Sequence, residues 1–186
     1  RFSREENTWH RQVVLTCLGG AFQFDKFPYP LTEVTGTIRD EQDRIDVDLH
    51  ARAGSRPVTV KARIEHPGPE AKISVKIAGN QIPIDRKLLG ALPQPSRDVI
   101  GRMNPKGFVD FRAVFWRVPG EAKTFRRSLN LTLRDCSVQH EKFPYLLSQI
   151  TGTITEKNRS WRFHELRGYN DTAVVVANGT LEPPER

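Results

Sequence analysis

KFPYPLTEVTGTI (26–38) and KFPYLLSQITGTI (142–154) are nearly the same phrase, written twice in one chain. Nine of the fourteen residues from Asp25 to Ile38 recur identically from Glu141 to Ile154, 116 positions later, and four more are close substitutions. Duplication of this kind predicts that a structural unit repeats along the chain. We place one repeat unit at 21–136 and a partial second repeat at 137–186. Residues 1–186 are then predicted to be one continuous β-rich segment of a longer repeat protein.

The repeated sequence itself predicts the start of a strand. Pro28 and Pro30 restrict the backbone and remove two amide donors, so this stretch is expected at a turn or an edge and not inside a sheet. Gly36 is expected to mark a bulge or a bend in the strand that follows. The second copy has Leu146 in place of Pro30, so only the first proline is required.

Between the two copies, apolar and polar residues alternate over runs of five to eight residues. This period predicts strands with one apolar face and one wet face. Turn sequences such as HPGPE (66–70) are too short for parallel crossovers, so the strands are expected to form an antiparallel meander. The apolar members of the pattern are the predicted lining of a lipid groove: Ile45, Val47, Leu49, Val58, Val60, Ile64, Ile73, Val75, Ile77, Val109, Phe111, Phe115, Leu129, Leu131 and Leu133.

One interval, residues 85–104, loses the alternation and carries apolar residues at helical spacing. Asp85 and Ser96 are residue types that cap helix N-termini. Prolines at 93, 95 and 105 are expected to interrupt or end the helices. The pattern predicts two short helices that lie across an end or an edge of the sheet.

Composition narrows the classes of function. Hydrophobic residues make up 37% and charged residues 27% of the chain, which is a globular balance, and no run approaches the ~18 apolar residues of a membrane-spanning helix. The net charge is +7, but the basic residues alternate singly with apolar ones, which is typical of solvated sheet faces. RVPGEAKTFRRS (117–128) is interpreted as a hairpin loop, so no nucleic-acid partner is predicted.

No arrangement of reactive residues points to catalysis. Asp46 and Asp48 share a strand face, but they alternate with arginines and are interpreted as solvated. The five histidines share no motif, and Cys17 and Cys136 lie outside any metal-binding spacing, so no metal and no cofactor are predicted. Whether the two cysteines pair or stay free is left open. We therefore expect a non-enzymatic protein.

The order of these motifs resembles the AsmA-like family of bacterial envelope proteins, which is related to TamB and to the eukaryotic bridge-like lipid-transfer proteins. The resemblance rests on KFPYPLTEVTGTI, RIDVDLHARAGSRPVTVKARIE, IPIDRKLLGALP, NPKGFVDFRAVFW and LTLRDCSVQHEKFPYLLSQITGTI, and it covers nearly the whole chain. It implies a long sheet bent into an open trough that carries phospholipid acyl chains between membranes. It also implies a periplasmic location, neighbouring repeats of the same chain as partners, and an inner-membrane anchor outside this segment.

Two architectures satisfy the alternation. In one, an all-β antiparallel meander with a short helical insert bends into an open trough whose apolar face stays uncovered. In the other, two sheets close into a β-sandwich and their apolar faces cover each other. The sandwich would suit a binding or scaffold module for glycan or protein partners, with Trp116 or Trp161 as the exposed contact.

Overall fold

A computed structural model describes residues 12–24, 27–120 and 125–182. Ten strands occur in chain order: β1 (Gln12–Phe24), β2 (Phe27–Glu41), β3 (Arg44–Ala53), β4 (Arg56–Glu65), β5 (Lys72–Pro83), β6 (Lys106–Arg117), β7 (Arg126–His140), β8 (Phe143–Lys157), β9 (Ser160–Asn170) and β10 (Ala173–Leu181). All ten belong to one sheet in which each strand pairs antiparallel with the next in the chain. In the described part of the chain β1 and β10 remain separate edges, so the predicted open meander is confirmed and the closed sandwich is wrong.

Two helices, α1 (Arg86–Ala91) and α2 (Gln94–Gly101), connect β5 to β6 inside the predicted interval. The Asp85 carboxylate caps α1 as predicted, because its Oδ1 accepts a hydrogen bond from the Leu88 amide at 2.9 Å. Ser96 was wrong as a cap. The N-cap of α2 is Pro93, three residues before Ser96, and the helix begins at Gln94. Pro95 lies in its first turn, where no intrahelical hydrogen bond needs its amide.

Helix α1 lies over the apolar face at one end of the sheet. Ala91 packs there in a buried cluster whose other members come from five strands: Tyr29, Ala53, Val58, Ile82 and Val109. Tyr29 belongs to β2, three strands away from the β5 end that leads into α1. A flat sheet would hold these elements roughly 14 Å apart at the usual strand spacing, so the sheet bends toward its apolar side.

The duplicated phrase adopts the same backbone twice. Glu33 and Gln149 have φ near 50°, and Gly36 and Gly152 have φ of 126° and 130°. In both copies the pairing with the next strand slips at this point, between Thr32 and Thr35 and between Ser148 and Thr151. The bulge lies just before Gly36, which itself pairs in register with Leu49, and the same irregularity recurs 116 residues later.

The prolines correct the sequence interpretation. Pro28 and Pro30 lie inside β2. Phe27 pairs with Phe24 of β1 and Leu31 with Phe22, so residues 28–30 lie opposite a single β1 residue. The segment from Pro28 to Pro30 therefore bulges out of the β1 ladder, and the pairing of β2 with β3 begins only at Thr32. A strand tolerates proline where its amide is not needed by a neighbour, which is the case in this bulge.

Candidate functional site: the apolar face of the sheet

The fifteen predicted lining residues share one face, because residues opposite each other in adjacent strands point to the same side. One cross-strand row contains only apolar side chains from β1 to β6: Leu15, Ile38, Val47, Ala62, Val75 and Phe115. A second row continues through Leu49, Val60, Ile77, Ala113 and Leu129. The alternation in single strands thus becomes a continuous apolar surface across the sheet.

Protein covers part of this surface. Val58 and Val109 are buried in the cluster under α1, so they are not available to a ligand, and five others pack against that cluster: Val60, Ile77, Phe111, Leu131 and Leu133. The remaining eight are partly exposed and lie outside the cluster: Ile45, Val47, Leu49, Ile64, Ile73, Val75, Phe115 and Leu129. The sequence could not separate these groups, because the contact between α1 and β2 joins residues about 60 positions apart.

The solvent-accessible surface shows how little of the sheet has a second layer. The chain exposes 13832 Å². A compact globular protein of 21.2 kDa exposes about 9,000 Å². A sheet without a second layer exposes both of its faces and its edges, which gives a large surface of this kind.

Sequence reasoning missed apolar residues beyond β7 that lie on the same face. Ile154 and Phe163 continue the row that contains Phe111 and Leu131, and Trp161 lies in the row of Leu129. The duplicated phrase carried the signal for Ile154, since Ile38 ends the first copy and lies on this face at the equivalent position. Trp161 is therefore an apolar-face residue, whereas Trp116 lies on the wet face between Ser74 and Arg126.

The apolar face ends in charged groups at the end that α1 does not cover. Glu156 is 1% exposed, and its Oε2 accepts a hydrogen bond from Arg127 Nε at 3.2 Å. Its Oε1 accepts from the Arg159 amide at 2.6 Å. These bonds compensate the cost of burying the carboxylate. Asp40 occupies the equivalent position of the first copy, 116 residues earlier. In both copies an acidic residue therefore lies at this end of the apolar face.

The wet face carries ion pairs between the predicted carboxylates and basic residues of the same or a neighbouring strand. Asp46 accepts from Arg63 Nε at 2.8 Å and from Arg44 Nε at 2.7 Å, while Asp48 pairs with Lys61 at 3.1 Å. The hydrogen bond from Arg63 holds the pKa of Asp46 below its usual value. These two carboxylates line an open cleft of about 610 Å³ together with the basic residues that pair with them. Exposed pairs of this kind contribute little to stability.

Other candidate groups are separated in the fold. Cys17 and Cys136 are free, in β1 and β7, and burial raises the pKa of the Cys136 thiol, whose Sγ donates to the Phe108 carbonyl at 3.2 Å. Across residues 12–24, 27–120 and 125–182, no three histidine, cysteine or acidic side chains are grouped as metal ligands would be. In the same ranges neither helix has the length and apolar character needed to cross a bilayer. Lys123, in the segment interpreted as a hairpin loop, lies outside the described residues.

Comparisons of the chain with protein-family models, with curated protein sequences and with solved structures found no match.

Proposed function

We propose that this protein is a non-enzymatic segment of an AsmA-like envelope protein and that its apolar sheet face binds phospholipid acyl chains and conducts them between membranes. The single observation that carries the proposal is the continuous apolar surface between β1 and β9, on which eight of the predicted lining residues remain partly exposed. The membrane context, the periplasmic side of the bacterial envelope with an anchor outside this chain, comes from the sequence resemblance.

The dimensions of the face suit acyl chains. The strands of the first repeat are 10 to 15 residues long. That corresponds to roughly 34 to 50 Å at the usual rise per residue, longer than one extended acyl chain. Each methylene that is fully removed from water gains about 0.8 kcal/mol, and a methylene lying on an open face gains part of this. Because the face offers shape and apolarity with few polar groups, binding is expected to be unselective among acyl chains.

Lipid extraction and native mass spectrometry of the purified protein test the proposal. The wild-type chain is expected to carry phospholipid. Val47→Asp with Val75→Asp places two charges in one row of the uncovered face, and it should reduce bound lipid at least about tenfold. Neither residue packs against the cluster under α1, so the sheet should still fold.

The matched control is Thr59→Asp with Ser74→Asp, which adds the same charges to the wet face of β4 and β5. This variant should retain the lipid. Wild-type protein without phospholipid, or equal lipid loss in both double variants, would refute the proposal. Far-ultraviolet circular dichroism checks that each variant keeps its β structure.

A further inference from the structure

The wet face of the sheet divides into two parts that differ in charge. On β2 to β4, acidic and basic side chains lie opposite each other and pair, as Asp46 does with Arg63 at 2.8 Å. On β5 to β9, the three cross-strand rows that begin at Ser74, Lys76 and Ala78 contain no acidic residue. Five residues in these rows are basic and exposed, and we call them the basic patch: Lys76, Arg112, Arg126, Lys157 and Arg162.

Most of the positive charge in the basic patch is not neutralised by the protein. Four of its members form no salt bridge with any other described residue: Lys76, Arg112, Lys157 and Arg162. Two acids border the patch. Asp110 pairs with Arg134 at 2.6 Å, and Glu182 accepts a hydrogen bond from the Ser160 hydroxyl at 2.8 Å. The cations of the patch are therefore available to an external anion.

Polar side chains and one indole ring lie between the cations. The polar ones carry hydroxyl or amide groups that can donate to phosphate oxygens: Ser74, Ser128, Asn130, Thr155 and Ser160. Trp116 lies in the same rows, next to Arg126, and indole rings are typical of the interface between a membrane and water. Each of the five strands has a neighbour on both sides, so the patch belongs to the interior of the sheet.

The basic patch extends in two dimensions. Lys76 on β5 and Arg162 on β9 are separated by four strand spacings, roughly 19 Å. The rows of Arg126 and Arg112 are separated by four residues along the strands, roughly 13 Å. A membrane surface presents its phosphates over an area of this kind. A single-stranded nucleic acid presents them in a line and is bound by stacking on several aromatic rings, whereas these rows contain Trp116 alone.

We propose that the basic patch docks this protein on an anionic phospholipid bilayer, with its cations in contact with the head-group phosphates. Each lysine or arginine that lies close to an anionic membrane surface strengthens binding about fivefold. The patch lies on the face opposite to the one proposed to bind acyl chains. Docking therefore does not depend on that function, and a protein that carries no extracted phospholipid would still dock in this way.

Co-sedimentation of the purified chain with lipid vesicles tests the proposal. The wild type should bind vesicles of phosphatidylcholine mixed with phosphatidylglycerol more tightly than vesicles of phosphatidylcholine alone, which give the baseline for acyl-chain binding. Salt at about 1 M should remove the difference, because the screening length falls to about 3 Å. Lys157→Gln with Arg162→Gln removes two cations of the patch and should weaken binding to the anionic vesicles about 25-fold.

The matched control is Arg86→Gln with Lys87→Gln, which removes two exposed cations from α1, the helix over the opposite face. This variant should bind the anionic vesicles nearly as the wild type does. Equal loss in both double variants would show that binding follows net charge and not the patch. Wild-type protein that binds both kinds of vesicle equally, or neither, would overturn the proposal. Tighter binding to a single-stranded oligonucleotide than to the anionic vesicles, lost in Lys157→Gln with Arg162→Gln, would assign the patch to nucleic acid instead.

Discussion

The two copies of the duplicated phrase share a backbone but differ in burial. Tyr29 of the first copy is 7% exposed, and Tyr145, its equivalent 116 residues later, is 40% exposed. Val175 corresponds to Val58 after one inserted residue near Glu165, and the two differ in the same way, with Val58 3% and Val175 37% exposed. Residues of β5, α1 and β6 pack in the cluster that contains Tyr29 of the first copy. In the described part of the chain no such elements follow the second copy. The comparison teaches that the local sequence sets the bulge and the register, while burial depends on which elements pack next to them.

The largest effect is expected from the glycines that both copies share. A Cβ on Gly36 would lie 2.2 Å from the Asp48 carbonyl oxygen, and one on Gly152 would lie 2.6 Å from that of Glu165, at φ values that side chains rarely adopt. Gly36→Ala and Gly152→Ala should each lower the free energy of unfolding by at least about 3 kcal/mol in urea denaturation.

Gly20→Ala is the control, because a Cβ at this strand glycine meets nothing within 4 Å and its φ is not positive. It should be neutral or raise stability by up to about 1 kcal/mol. If Gly152→Ala is as mild as Gly20→Ala, the shared backbone is not required in the second copy and the comparison fails.

A smaller and unequal effect is expected from the equivalent valines. Val58→Ala removes two methyl groups from the buried cluster under α1 and should cost about 2 kcal/mol. Val175→Ala changes an exposed edge residue and should cost less than about 0.5 kcal/mol. Denaturation of both variants at low protein concentration measures the difference. Equal costs would mean that burial does not distinguish the two copies.

The smallest effect is a dependence on alkaline pH. Burial raises the pKa of Tyr29, and the nearby Asp85 carboxylate adds to the rise. The unfolded chain therefore loses this proton first, at about pH 10, so the stability that the neutral phenol contributes is present below that pH and is lost as the pH rises. The wild type should lose stability between about pH 8 and pH 11.

Tyr29→Phe should reduce this loss, and Tyr145→Phe should leave the contribution of Tyr29 in place. Thermal denaturation of the three proteins at the two pH values gives the comparison. A pH dependence that is unchanged in Tyr29→Phe would show that the first copy does not hold its tyrosine in an apolar environment.

The antiparallel meander and the apolar face of its strands were accessible from sequence because they depend on local patterns. Ile45, Val47 and Leu49 alternate with charged residues, and short turns allow only antiparallel neighbours. The duplicated phrase likewise indicated an irregularity near Gly36, which the structure places between Thr32 and Thr35. The start of α2 was missed because serine and proline both suit the first turn of a helix, and the sequence offers no measure of which residue begins it.

The sequence by itself determined the meander, the apolar face and the recurrence of one backbone unit, because these follow from side-chain period, turn length and residues that only certain φ values accept. Only the tertiary structure decided which part of the face is covered, since the contact of α1 with Tyr29 requires the sheet to bend. Within the described part of the chain, it also placed β1 and β10 at the two edges of the sheet. Coverage is a property of elements distant in the chain, and no local pattern specifies it.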